Sequence, residues 1–278
     1  MNLHIGVLAL QGAFHEHLVL LRQSAALLSR SPTYSNISLK FSEVRTPTDL
    51  ADCDALILPG GESTTMSLVA ARSGLLEPLR EFVKVRRKPV WGTCAGLILL
   101  AESANRTKAT GQELIGGLDV RVNRNHFGRQ TESFEAELEL PFLEEVDNVV
   151  ENGAAGAKGR FRSVFIRAPV VERVLQPQEG IQEEQAALES TVVAPSKLVE
   201  EDRRGVVGKT VEVMARLPGR AKALRDREVT AKDLGEDGDI VAVRQGNVFG
   251  TSFHPELTGD ARIHVWWIKQ VIDACRES

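Results

Sequence analysis

Short apolar runs alternate with stretches of helical periodicity through the first 140 residues. Residues 5–10 (Ile-Gly-Val-Leu-Ala-Leu) form a continuous apolar run that ends at Gln11-Gly12. A run of that length closed by a turn signal predicts a buried strand. Leu18, Leu21, Ala25 and Leu28 follow at spacings of three, four and three, which predicts a helix ended by Ser31-Pro32. The polar stretch to about Leu39 reads as a surface loop. Residues 55–58 are a second apolar run, stopped by Pro59-Gly60-Gly61, and Ser63-Thr64-Thr65 offers capping hydroxyls to another helix. Pro89-Val90-Trp91 is a third short strand, closed by Gly92, with an apolar helix from Ala95 to about Ala104. Strands alternating with helices predict βαβ units, hence an α/β fold with an open, mostly parallel sheet flanked by helices.

The second half changes character. Residues 172–238 are rich in Glu, Arg, Lys, Gly and Pro, and only 211–217 reads as a strand; the rest reads as loop or insertion. Order returns at 238–243 and 248–253, two strands joined at Gly246-Asn247 as a hairpin. A last helix carries Ala261, Val265, Ile268 and Ile272 at helical spacing.

Composition narrows the function classes. Charged residues are 26% of the chain and apolar residues 42%, an ordinary globular balance that rules out a wholly disordered chain. The net charge is −4 and aromatics are 5%, so neither phosphate attraction nor a base-stacking surface is expected: no nucleic acid. No apolar run approaches the ~18 residues of a membrane span, so no membrane partner is expected. Cys53, Cys94 and Cys275 are odd in number and far apart, which points to a reducing compartment and a cytoplasmic location. The six histidines show no zinc spacing with the cysteines, so neither metal nor other cofactor is expected. His15 and His17, two apart, fall on different helix faces and read as surface or partner-contact residues.

Three motifs carry chemistry. Gly92-Thr93-Cys94-Ala95-Gly96 follows a strand and opens a helix, the cysteine form of a nucleophile elbow. The helix start favours a thiolate at Cys94; the bland reading is a core cysteine between turn glycines. His254-Pro255-Glu256 follows the strand at 248–253. Alone it reads as a surface turn; beside Cys94 it supplies a base and its orienting carboxylate. Gly60-Gly61 after the second strand reads as a plain turn or as a source of backbone donors, Gly61 N–H together with Ala95 N–H, for an oxyanion hole.

In this order, the motifs resemble the class I (triad) glutamine amidotransferases, and within them the family of glutaminase subunits of pyridoxal 5′-phosphate synthase. Six blocks carry the likeness: Leu-Ala-Leu-Gln-Gly-Ala-Phe-His-Glu-His at 8–17, Leu-Pro-Gly-Gly-Glu-Ser-Thr-Thr-Met at 58–66, Gly-Thr-Cys-Ala-Gly-Leu at 92–97, Arg-Asn-His-Phe-Gly-Arg-Gln at 124–130, Phe-Ile-Arg-Ala-Pro at 165–169 and Ser-Phe-His-Pro-Glu-Leu-Thr at 252–258. The resemblance implies a catalytic triad of Cys94, His254 and Glu256. It implies a glutamine site of Gly61, Glu62, Ser63, Arg124, Ile166 and Arg167, with Gln11 a weaker site near the partner contact. It implies hydrolysis of L-glutamine to glutamate, with the ammonia passed to a separate (β/α)₈ synthase subunit that builds pyridoxal 5′-phosphate. The chain is longer than the compact family pattern. We expect one domain over 1–278 with loop insertions near 29–40, 143–160, 176–210 and 219–237. Two rival readings fit the same residues. One is a different enzyme on the same fold, such as another amidotransferase glutaminase, a γ-glutamyl hydrolase or a cysteine peptidase-like relative. The other is a scaffold with a silent triad.

Overall fold

A computed structural model describes residues 1–105, 112–124, 133–147, 159–175, 191–195, 209–217 and 238–276. Thirteen strands and six α-helices lie among the described residues. Strands β1 (Asn2–Leu8), β2 (Ser38–Val44), β3 (Ala55–Leu58), β4 (Val90–Thr93) and β13 (Val248–Thr251) stand side by side in the order β2-β1-β3-β4-β13. Every pairing within that group is parallel. Beyond β13 the same sheet turns mixed. Its next neighbours are β12 (Asp239–Gln245), β9 (Val170–Val174), β6 (Leu118–Asn123), β5 (Ala101–Asn105) and β10 (Thr191–Val193), and β11 (Glu212–Leu217) pairs with β12. The open α/β sheet is the expected one, with its continuous parallel block where the motifs lie. A separate antiparallel ribbon joins β7 (Ser133–Glu139) to β8 (Arg160–Ile166).

Side-chain alternation divides the core in two. Leu3, Ile5 and Val7 of β1, Ala55 and Ile57 of β3 and Trp91 of β4 point to one face. There they meet Leu18, Leu21 and Leu28 of helix α1 (Phe14–Leu28) and Ile263, Trp267, Ile268 and Ile272 of helix α6 (Arg262–Arg276). Leu56, Leu58 and Val90 point to the other face. Their partners there come from α2 (Pro47–Ala51), α3 (Ser63–Arg72), α4 (Leu76–Arg80) and α5 (Ala95–Leu100). Burying both faces of a parallel sheet requires near-continuous apolar strands, which is why 55–58 and 5–8 lack polar residues. Among the described residues no helix is long and apolar enough to cross a membrane.

Several expectations need correcting. Residues 38–40, expected in a loop, open strand β2, whose burial alternates because it is an edge strand. The helix after Cys94 ends at Leu100 rather than Ala104, since Ala101–Asn105 pairs in parallel with β6. Gly92 lies inside β4 instead of closing it. Within 172–238 the structure adds β10 and the end of β9 to the one expected strand. The 238–253 hairpin forms as expected, with Val248 opposite Gln245. Most of the insertions expected at 143–160, 176–210 and 219–237 lies outside the described residues.

Candidate active site

Parallel strands send their carboxyl ends to one edge, and an open α/β sheet places its crevice there. Four strand ends meet at that edge: Gln11 lies just after β1, Gly60 and Gly61 after β3, Cys94 after β4 and His254 shortly after β13. Cys94 joins β4 directly to α5 with φ 49° and ψ −102°, one of three described non-glycine residues with positive φ. That conformation costs an L-residue about 1–2 kcal/mol. It is imposed by the jump from strand to helix without an intervening turn residue. The chain can make the jump because Gly96 packs against the Leu58 carbonyl, where a Cβ would collide. The Cys94 thiol is nearly buried and donates to the Ile166 carbonyl at 3.7 Å.

His254 is held from two sides. Its backbone N–H donates to Val164 O at 2.8 Å, and its ring lies over Gly60, again where a Cβ could not fit. Nδ1 is 2.7 Å from Glu256 Oε1, and the ring shares a hydrogen bond with the Cys94 side chain. Burial alone would push the imidazole down. The hydrogen bonds to Cys94 and Glu256, with their charges, outweigh it and raise it from 6.5 to about 10. Burial likewise pushes Glu256 up, but the His17 and His254 rings around it more than offset this, and its carboxyl lies below the usual range. A cysteine sulfur, an imidazole and a buried carboxylate in series are the parts that nucleophilic acyl transfer needs.

Gly61 is exposed on the loop between β3 and α3, and Ala95 opens α5 beside the thiol. Gln11 Oε1 accepts from Glu62 N–H at 2.8 Å, tying the end of β1 to that loop. The expected N-cap of α3 is corrected. Ser63 is the first residue of the helix, and Glu62 caps it, accepting from Thr64 N–H at 2.9 Å and Thr65 N–H at 2.7 Å. A carboxylate at a helix start is favoured by the orphan donors there, which hold Glu62 below its ordinary range despite burial.

Arg124 follows β6 and is nearly buried. Its Nη1 donates to Gln112 Oε1, which also accepts from Thr64 Oγ1 at 3.0 Å. Its Nε and Nη2 have no partner among the described residues. Burial pulls the guanidinium well below the usual arginine range, to about 10, with the Glu62 charge opposing. Buried donors left open on a charged group are what a carboxylate ligand would fill. Ile166 brings its carbonyl to Cys94, whereas Arg167 is exposed with φ 45°. Residues 125–130 of the block that begins at Arg124 lie outside the described residues.

One expectation fails outright. His17, read as a surface residue, is completely buried, with Nε2 3.3 Å from Glu256 Oε2 and Nδ1 3.0 Å from His264 Nε2. His15 is exposed, so the two do lie on different faces. The signal was available: His17, Leu21, Ser24 and Leu28 are spaced four, three and four along α1, and all are buried.

Comparison with known proteins shows the fold and the family. A solved structure described as a glutamine amidotransferase matches at a TM-score of 0.58 with 34% identity, covering 96% of this chain and 98% of that one. The fold is therefore that of the glutamine amidotransferases. The pattern of the SNO glutamine amidotransferase family matches residues 7–199 and 199–273, and the chain belongs to that family. A pyridoxal 5′-phosphate synthase subunit of Streptomyces griseus is 40% identical over 267 residues, 96% of this chain and 95% of its own length. A probable pyridoxal 5′-phosphate synthase subunit of Arabidopsis thaliana is 39% identical over 95% of this chain and 84% of its own. One from Saccharomyces cerevisiae is 38% identical over 96% and 92%.

Proposed function

We propose that this chain is the glutaminase of a pyridoxal 5′-phosphate synthase, releasing ammonia from L-glutamine for a (β/α)₈ synthase subunit. The reading rests on family membership and on relatives named as subunits of that synthase. The observation that carries it is the strained Cys94 elbow facing a His254–Glu256 pair 2.7 Å apart. The Cys94 thiolate adds to the side-chain amide carbon of glutamine. The amide oxygen takes up the charge, facing Ala95 N–H and Gly61 N–H. The His254 imidazolium passes its proton to the departing nitrogen, and ammonia leaves a γ-glutamyl thioester on Cys94. His254, now neutral, takes a proton from water, which adds to the thioester. Glutamate departs and the thiolate–imidazolium pair is restored. Glu256 holds the ring so that Nε2 serves both transfers.

The substrate is a zwitterion. Its α-carboxylate matches the open donors of Arg124, with Arg167 at the rim, and the loop at Gly61, Glu62 and Ser63 with Ile166 encloses the chain between its two ends. Gln11 sets that loop through its bond to Glu62 N–H.

Glutamate production from glutamine, with and without a synthase subunit, tests the proposal. Activity that appears or rises strongly with the synthase, and disappears in Cys94→Ala while partner binding persists, is the expected result. Equal activity without the partner would favour a free-standing hydrolase, and none in either case a silent scaffold.

A further inference from the structure

The proposed mechanism uses one oxygen of Glu256; the other belongs to a buried pair of rings outside it. Glu256 Oε2 is buried with no hydrogen-bond partner among the described residues, and His17 Nε2 lies 3.3 Å from it, within ion-pair reach and poised to become the missing donor. His17 sits on α1, 239 residues earlier in the chain, and His264 lies behind it on α6 at 3.0 Å. We infer that His17 is a positioning residue for the glutaminase reaction: its Nε2–H holds the outer oxygen of Glu256, while His264 fixes the tautomer that makes this donor available. The inference rests on the functional reading above.

Counting protons fixes the direction of each bond. Both rings are completely buried, and burial pulls each from 6.5 to about 3, so both are neutral near pH 7. A neutral imidazole has one N–H and one bare nitrogen. Glu256 is ionised and can only accept. His17 Nε2 therefore carries the proton, and His17 Nδ1 is bare. A bare Nδ1 at 3.0 Å from His264 Nε2 requires that nitrogen to donate. His264 then has its bare nitrogen at Nδ1, the one ring nitrogen of the pair with no partner among the described residues. The opposite assignment would strand a buried N–H at His264 Nδ1 and place a bare His17 Nε2 against a carboxylate. That costs a lost hydrogen bond and a repulsion. Thr93 Oγ1, 3.4 Å from the same His17 nitrogen, can turn its hydroxyl either way and does not decide the matter. Trp91, edge-on to both rings, packs the pair in place.

The consequence is an orienting group with two fixed oxygens. A carboxylate held only through Oε1 can rotate about its last torsion and carry His254 with it. Held at both oxygens, it presents one geometry to Nδ1. The titratable groups that face Glu256 are His254 on its own turn, His17 on α1 and, behind these, Cys94 and His264. Loss of the His17 donor leaves the carboxylate less well solvated and easier to protonate.

Two measurements test this. Nitrogen-15 spectra of histidine-labelled full-length protein at pH 7 should find His17 and His264 both neutral and both protonated at Nε2. An Nδ1–H form of His17, or a charged ring at either position, overturns the inference, whatever the enzyme does. In glutaminase assays with the synthase subunit, His17→Leu should lower kcat by about 10- to 100-fold, as loss of an outer orienting partner does elsewhere. KM should stay close to wild type. The acid limb of its pH profile should move to higher pH. His17→Gln, whose amide N–H reaches the same place, should restore most of kcat and return the limb, and it remains informative if the leucine variant does not fold. A folded His17→Leu protein with wild-type kcat and acid limb sinks the inference; so does a His17→Gln protein as impaired as the leucine variant. Absence of glutaminase activity in the wild-type complex would sink the functional reading instead, and the spectra would still report on the ring pair.

Discussion

Lys84 and Glu102 form an ion pair as deeply buried as His254 and Glu256, yet the two pairs are built to opposite rules. Lys84 Nζ reaches Glu102 Oε1 at 2.8 Å, Glu102 Oε2 at 3.0 Å and the Pro195 carbonyl at 3.0 Å, so its three donors are all placed. Glu102 Oε1 also accepts from Gly117 N–H at 2.8 Å. This cluster ties β5 to the start of β6 and to the segment that follows β10, and it faces no strand end of the parallel block. At the candidate site, by contrast, atoms of Arg124 and His264 stay without partners among the described residues, and Cys94 holds a strained backbone. A polar cluster that serves the fold closes its own valences. One that serves chemistry keeps some open for a ligand or a proton.

The comparison can be broken most forcefully at Lys84. Lys84→Met leaves Glu102 buried and unpaired and should destabilise the protein by about 3–5 kcal/mol. The double variant Lys84→Met/Glu102→Leu should recover much of that loss, and the activity of the molecules still folded should be unchanged. Denaturant unfolding beside a glutaminase assay checks this, and a double variant no better than the single one would mean the pair has another task. Arg124→Gln should do the reverse. Removing a charged partner of the substrate carboxylate is worth about 2 kcal/mol, so KM for glutamine should rise by roughly 30-fold with a smaller change in kcat. Stability should hold or improve, since open buried donors disappear. The effect that grows most gradually is on pH. His17 and His264, at about 3 when folded and 6.5 when free, bind protons more readily in the unfolded chain. Their contribution to stability is therefore full above 6.5 and falls as pH drops toward 3. Unfolding free energies across that window should decline on acidification, and His264→Gln should flatten the decline.

Much of this was legible in the chain. The Cys94 elbow, the Gly60-Gly61 turn and the 238–253 hairpin are local patterns whose residues fix their own backbone, and the structure places them as read. The failures have another cause. Ala101–Asn105, which reads Ala-Glu-Ser-Ala-Asn, has the small and polar residues of a helix end and becomes a strand only because β6 lies alongside. Ser38–Val44 is polar enough for a loop and is held by pairing with β1. His17 could be placed on the buried stripe of α1 by spacing, but its partner Glu256 is at the other end of the sequence. Capping by Glu62 rather than Ser63 turns on where a helix begins, a boundary that propensity leaves open by a residue or two.

The left-handed backbone at Cys94 also sets the fold against its own chemistry. The 1–2 kcal/mol it costs is a standing load on a protein whose whole stability is of the order of 5–15 kcal/mol. Glycine at that position would carry no such load, and the chain with the inert residue would be the sturdier molecule. Selection for stability alone would thus drift away from the nucleophile, and its presence marks a compromise between endurance and reactivity written into a single pair of torsion angles.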